Sequence, residues 1–184
     1  MAQPLYALVA YVRTPLGAFV EGLRRDLNPQ HPELPAHVTV LPPRPLRGPV
    51  EEALHHIEDV CSTVDPFEVA MGEVETFAPT TPTIFIRVAH AGYRIRELHD
   101  RLNQGALAYE EPWPYMPHLT IIKLSDVEAA RAAADVSQQR WQQYGGDRRI
   151  RVEELTFVRE GNSAFSWVDL APVRLGPAMA GQRR

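Results

Sequence analysis

The chain runs through the same series of elements twice, and that internal repeat restricts its fold more than any other feature. In the first pass, Leu5 to Val12 is an apolar run suited to a buried strand. Thr14-Pro15 places a capping residue before a proline at the first helical position, which predicts a helix to about Leu27, stopped by Asn28-Pro29. His37-Val38-Thr39-Val40 alternates as a strand and runs into the proline-rich Pro42-Pro43-Arg44-Pro45. A helix from near Pro49 carries Leu54, Ile57 and Cys61 at helical spacing, and Phe67, Val69 and Met71 open the next strand.

The second pass starts at Thr83. Ile84 to Ala89 predicts a strand, and Tyr93 to about Leu107 an amphipathic helix with Ile95, Leu98 and Leu102 on one side. Pro112 and Pro114 break the chain before His118-Leu119-Thr120-Ile121. Ser125 with Glu128 forms a capping-box pattern that opens an alanine-rich helix, ended by Gly145-Gly146. Ile150 to Val158 and Ala164 to Leu170 read as closing strands joined by a Gly161-Asn162-Ser163 turn. The spacings agree: Val9 to His37 is 28 positions and Val88 to His118 is 30. The expected fold is therefore α+β, a single bilobal domain over residues 1–175 with lobe repeats at about 4–78 and 82–171. Each lobe has a largely antiparallel sheet with helices outside, a central cleft lies between them, and 176–184 forms a flexible tail.

Residues two apart on a strand share a face. His37 and Thr39 thus point one way and Val38 and Val40 the other; His118 and Thr120 stand in the same relation to Leu119 and Ile121. The apolar pairs suit a core beneath helices and the polar pairs an open face. Two imidazoles and two hydroxyls on such a face match phosphodiester transfer. One neutral histidine takes a proton from the attacking oxygen, while the other, protonated, donates to the leaving oxygen. The threonine hydroxyls donate to nonbridging phosphate oxygens, where charge grows in the transition state. This chemistry needs no metal and no cofactor. The sequence does not say which histidine is acid and which is base.

These two motifs, Ala36-His37-Val38-Thr39-Val40-Leu41 and Pro117-His118-Leu119-Thr120-Ile121-Ile122-Lys123, resemble those of the two-histidine (2H) phosphoesterase superfamily. That group includes the 2′–5′ RNA ligase-like proteins and cyclic nucleotide phosphodiesterases, and the resemblance covers about residues 4–170. It implies a hydrolase in which His37 and His118 are catalytic and Thr39 and Thr120 bind the substrate phosphate. The implied substrate is a 2′,3′-cyclic phosphate, a 2′–5′ linkage or a small cyclic nucleotide. A non-catalytic nucleotide- or RNA-binding module and a 2′–5′ RNA ligase are the alternatives. Many ligase-like members carry arginine soon after the second motif, where this chain has Lys123, which keeps the charge without the bidentate fork.

Other residues are further candidates for substrate contact. Lys123 falls on the Leu119/Ile121 side of a regular strand but could turn toward phosphate at the strand end. Arg44, beyond the first motif, is a candidate phosphate ligand. Tyr115 and Trp113, in the proline-rich loop before His118, could stack on a base. Tyr11 reads as core. His55-His56 with Asp59 lacks a third ligand at metal-site spacing and reads as exposed helix surface; His31, His90 and His99 read as surface or turn residues.

Composition narrows the partners. The 184 residues carry a formal net charge of −4, with 19 basic side chains against 23 acidic ones. That balance argues against a long duplex footprint and for a nucleotide or short RNA bound by a monomer. The absence of an apolar run of about 20 residues argues against a membrane span. The lone Cys61 suits a reducing, cytoplasmic setting.

Overall fold

The computed structural model describes residues 3–30, 34–162 and 166–177. His31, Ser163, the start of the last expected strand and the tail beyond 177 lie outside the described residues. Chain order is β1 (Tyr6–Tyr11), α1 (Pro15–Leu27), β2 (His37–Arg44), α2 (Val50–Ser62), β3 (Phe67–Thr76), β4 (Thr83–His90), α3 (Gly92–Leu102), a 3₁₀ turn (Gly105–Leu107), β5 (His118–Lys123), α4 (Val127–Gln143), β6 (Arg149–Val152), β7 (Glu154–Glu160) and β8 (Trp167–Arg174).

Each helix forms where apolar residues recur at helical spacing, and each turns that stripe to one shared core. α1 contributes Leu16, Val20 and Leu23, α2 contributes Ala53, Ile57 and Cys61, and α3 contributes Ile95, Leu98 and Leu102. α4 presents mostly small residues, Ala130, Ala133 and Ser137, so that it lies close to the sheet. Its one large buried side chain, Trp141, is fully enclosed and donates its indole N–H to the Gly72 carbonyl at 2.8 Å. Truncating a side chain so enclosed costs about 3–5 kcal/mol.

Three boundaries differ from the sequence expectation. α3 stops at Leu102, because the backbone leaves helical geometry at Asn103 (ψ 53°) and is extended at Gln104, before Gly105 takes a left-handed φ of +54° at the start of the 3₁₀ turn. α4 is capped by Asp126 and not Ser125; the Asp126 carboxylate accepts from the Ala129 N–H at 2.7 Å. The single strand expected over 150–158 breaks at Glu153 into β6 and β7.

Among the described residues the strands form one antiparallel sheet in the order β6-β3-β4-β5-β2-β1-β7-β8. The two repeats are therefore interleaved. β3, from the first repeat, pairs with β4 and β6, whereas β7, from the second, pairs with β1. Each physical half of the sheet draws strands from both sequence halves, unlike the lobes 4–78 and 82–171 expected from the repeat. The halves meet where β2 and β5 pair through one bridge, Val38 with Leu119. At the other extreme, β6 and β7 lie near opposite ends of the strand order yet are joined through Glu153 alone, so the sheet is strongly curled. Alternate strand residues (Leu8, Ala10, Val38, Val40, Ile84, Ile86, Leu119, Ile121) face the helical core. No described helix is long and apolar enough to cross a membrane.

Candidate functional site

The two motifs sit on β2 and β5, the adjacent central strands. Because Val38 faces Leu119 in an antiparallel pair, the register sets His37 opposite Thr120 and Thr39 opposite His118. All four polar side chains share the face turned away from the helical core, and all four are partly exposed, while Val38 and Leu119 between them are fully buried.

Both imidazoles are held alike. His37 Nδ1 lies 2.7 Å from the Pro35 carbonyl, and His118 Nδ1 lies 2.7 Å from the Met116 carbonyl. A carbonyl can only accept, so Nδ1 carries the proton in each ring and Nε2 keeps its lone pair. Each histidine thus presents Nε2 as a base, or as an acid once protonated. Burial pushes both imidazoles below the usual 6.5, and each carbonyl bond partly opposes this. His37 is lowered further by the charge of Arg24 and, when it is protonated, by that of His118.

Each threonine is followed by a β-bulge. β1 pairs Val9 with Thr39 and Leu8 with Leu41, skipping Val40; β4 pairs Phe85 with Thr120 and Ile84 with Ile122, skipping Ile121. Two consecutive apolar residues therefore enter the core in each motif, Val40-Leu41 and Ile121-Ile122. The bulge in β5 also changes the position of Lys123. A regular strand would put it on the Leu119 side; beyond the bulge it pairs with Thr83, two residues from Phe85, and so joins the His118/Thr120 face, where it is exposed. Bulges disrupt the ladder, and the buried Arg24 of α1 serves the carbonyls there. Its guanidinium donates to the Thr120 and Ile121 carbonyls at 3.1 and 2.7 Å, and to the Leu34 carbonyl ahead of the first motif.

The flanks differ. Phe85, and with it Phe77, packs against His118 with ring centroids 5.0 and 5.2 Å away, and Arg87 is the cross-strand partner of His118. Beside His37, its cross-strand partner Tyr11 approaches edge-on at 6.3 Å and donates its hydroxyl to Asp169 at 2.6 Å. Burial, then Asp169, raise the Tyr11 phenol well above its usual range, so it remains a donor. Tyr11, Phe77, Phe85, Arg87 and Arg24 were not among the sequence candidates. Alternation along β1 and β4 could have found Tyr11, Phe85 and Arg87, since each lies out of phase with its strand's core residues.

Two sequence candidates are placed elsewhere. Arg44 is fully buried, ion-paired to Glu111, and donates to Asn103 Oδ1 at 2.7 Å and to the Leu107 carbonyl at 3.2 Å, so it has no face for a phosphate. Tyr115 gives its hydroxyl to the Thr39 carbonyl at 2.7 Å and stacks flat on His99, 4.0 Å between centroids. Its ring is committed to that partner. Trp113, in the same loop, is 63% exposed. His99, read from sequence as a surface residue, is buried. No group of three metal-ligating side chains occurs among the described residues.

Comparison with known proteins places the family and the fold. A family model described as the 2′-5′ RNA ligase superfamily matches residues 12–164. A Bacillus cytotoxicus protein described as "Putative phosphoesterase" is 30% identical over 113 residues, covering 59% of this chain and 64% of that protein. A Halalkalibacterium halodurans protein of the same description is 26% identical over 117 residues, 63% of this chain and 68% of its own. The chain thus aligns with somewhat under two thirds of the first of these relatives. Among solved structures, TT0787 of Thermus thermophilus superposes with a TM-score of 0.67 at 16% identity, covering 94% of this chain and 98% of that one. Escherichia coli LigT complexed with phosphate superposes with a TM-score of 0.64 at 11% identity, covering 95% and 99%. The repeated His-x-Thr strands, the curled antiparallel sheet and the family match over 153 residues (12–164) place this chain in the 2′-5′ RNA ligase superfamily of two-histidine phosphoesterases.

Proposed function

We propose that this protein is a metal-independent phosphodiesterase that cleaves or transesterifies a small nucleotide phosphodiester. The observation that carries this reading is the pair of imidazoles on one sheet face, each fixed through Nδ1 with Nε2 left for substrate. The exposed face and the net acidity favour a 2′,3′-cyclic phosphate, a 2′–5′ linkage or a small cyclic nucleotide over a long duplex.

His37 is the general base and His118 the general acid. The Arg24 charge opposes protonation of His37 in addition to burial, which suits that ring to start neutral as the base. His118 has burial alone against it, partly offset by its bond to Met116. In hydrolysis of a 2′,3′-cyclic phosphate, water attacks phosphorus and loses a proton to His37 Nε2. The bond from phosphorus to one ribose oxygen breaks, and that oxygen takes the proton of His118 Nε2. Exchange with solvent then restores both rings. Thr39 and Thr120 donate to the nonbridging oxygens, Lys123 adds positive charge at the end of the same face, and Trp113 offers a surface for the base.

The test is incubation in EDTA with 2′,3′-cyclic nucleotides, 2′–5′ dinucleotides and cyclic dinucleotides. Turnover of at least one is expected. Binding without turnover would identify a recognition module instead, joining of RNA ends would identify a ligase, and activity lost in EDTA and restored by a metal would overturn the mechanism.

A further inference from the structure

The two motifs face each other across the weakest junction of the sheet. β2 and β5 share a single bridge, whereas β1 with β2 and β4 with β5 pair at five positions each. Two histidines that act on one phosphorus need a fixed separation, and one bridge supplies little resistance to shear or opening. The loop between the 3₁₀ turn and β5 supplies more. Its consecutive residues Tyr115 and Met116 reach the two motifs separately: the Tyr115 hydroxyl donates to the Thr39 carbonyl, and the Met116 carbonyl accepts from His118 Nδ1.

That loop is itself pinned from behind. Tyr115 stacks on buried His99 of α3, with 3° between ring planes. His99 Nε2 lies 2.9 Å from Glu111, and Glu111 pairs with Arg44 at the far end of β2. Asn103 ties in the segment between, donating to the Tyr109 carbonyl and accepting from the Tyr109 N–H. Burial, then Glu111, keep the Tyr115 phenol well above its usual range, so its hydroxyl remains a donor. The chain Arg44–Glu111–His99–Tyr115 therefore starts on β2, passes through the loop and returns to β2 at Thr39.

We propose that Tyr115 is a positioning residue, a brace from the loop before His118 to the backbone of Thr39 that fixes the spacing of the two catalytic histidines. This rests on the two-histidine reading above. It gives Tyr115, Arg44 and His99 one shared purpose, and none of them touches substrate.

The test is Tyr115→Phe, which deletes the hydroxyl and leaves the ring on His99. With melting temperature unchanged, kcat on the best 2′,3′-cyclic nucleotide should fall roughly tenfold while KM moves less than about twofold, as expected when reacting groups are misplaced. The second readout is independent of turnover. His37 titration, followed by NMR, should shift to higher pH as the charge of His118 moves away, toward the value in His118→Ala. His99→Leu, which keeps the hydroxyl and removes the ring beneath it, should change both readouts in the same direction by a smaller factor. Wild-type kcat or wild-type His37 titration in folded Tyr115→Phe overturns the brace. Were the unaltered protein to turn over no phosphodiester, the functional reading would fail, and the titration alone would still decide for or against the brace.

Discussion

The two sides of the site share a skeleton and differ in dress. On each, an imidazole is held by the carbonyl two residues earlier, a threonine follows on the same face, and a bulge turns two apolar residues into the core. Around that skeleton, His37 has a tyrosine–aspartate pair beside it and a buried arginine charge in range, whereas His118 is packed by two phenylalanines. The common part is what acid–base chemistry on a symmetric anion requires. The differing part surrounds the two rings unequally, and the proposed base and acid roles draw on that inequality.

The largest expected effect tests the shared part. His37→Ala and His118→Ala should each lower kcat by about 10²–10⁴-fold while the protein stays folded, measured on a hydrolysed cyclic nucleotide. A variant that keeps near wild-type turnover removes that side from the chemistry. Next, Thr39→Val and Thr120→Val should each cost on the order of 10²-fold in kcat with a smaller change in KM. Equal losses confirm that the sides are matched on phosphate; a loss on one side only breaks the symmetry there.

Lys123→Met should raise KM roughly tenfold, a loss of about 1.4 kcal/mol in substrate binding, with kcat little changed. Lys123 has its counterpart by motif position in Pro42, so the effect would belong to one side alone. The smallest effect is on pH. Because both imidazoles lie below 6.5, both limbs of the kcat/KM profile should fall below that pH, with the alkaline limb set by His118. Stability should decline as pH falls below about 6.5, since the unfolded chain then binds more protons than the folded one. A rise in stability over that range would contradict the lowered imidazoles.

Much of this was legible in the chain because two periodicities carry it. Alternation set His37 and Thr39 against Val38 and Val40, and helical spacing picked out Leu16, Val20 and Leu23 or Ile95, Leu98 and Leu102 as buried stripes. What escaped depended on partners distant in sequence. The side of the strand on which Lys123 lies follows from a bulge, which is a relation between β4 and β5 and leaves no mark in Ile121-Ile122-Lys123 itself. Arg44 reads as a free cation until Glu111, 67 residues later, is folded against it. Likewise, nothing in a repeat of local elements shows that β3 of the first half and β7 of the second each cross to the other.

That exchange, closed through Glu153, has a consequence for how the protein is made. β6 completes the half built on β3 and β4, and β7 completes the half built on β1 and β2, yet both strands come from one segment near the end of the chain. A growing polypeptide that has reached only Gly146 already carries both motif histidines, but it exposes unpaired edges on β1 and β3 at once, the kind of surface that templates aggregation. The sheet therefore stays incomplete until β6 and β7 are present, and their arrival finishes both halves in a single act.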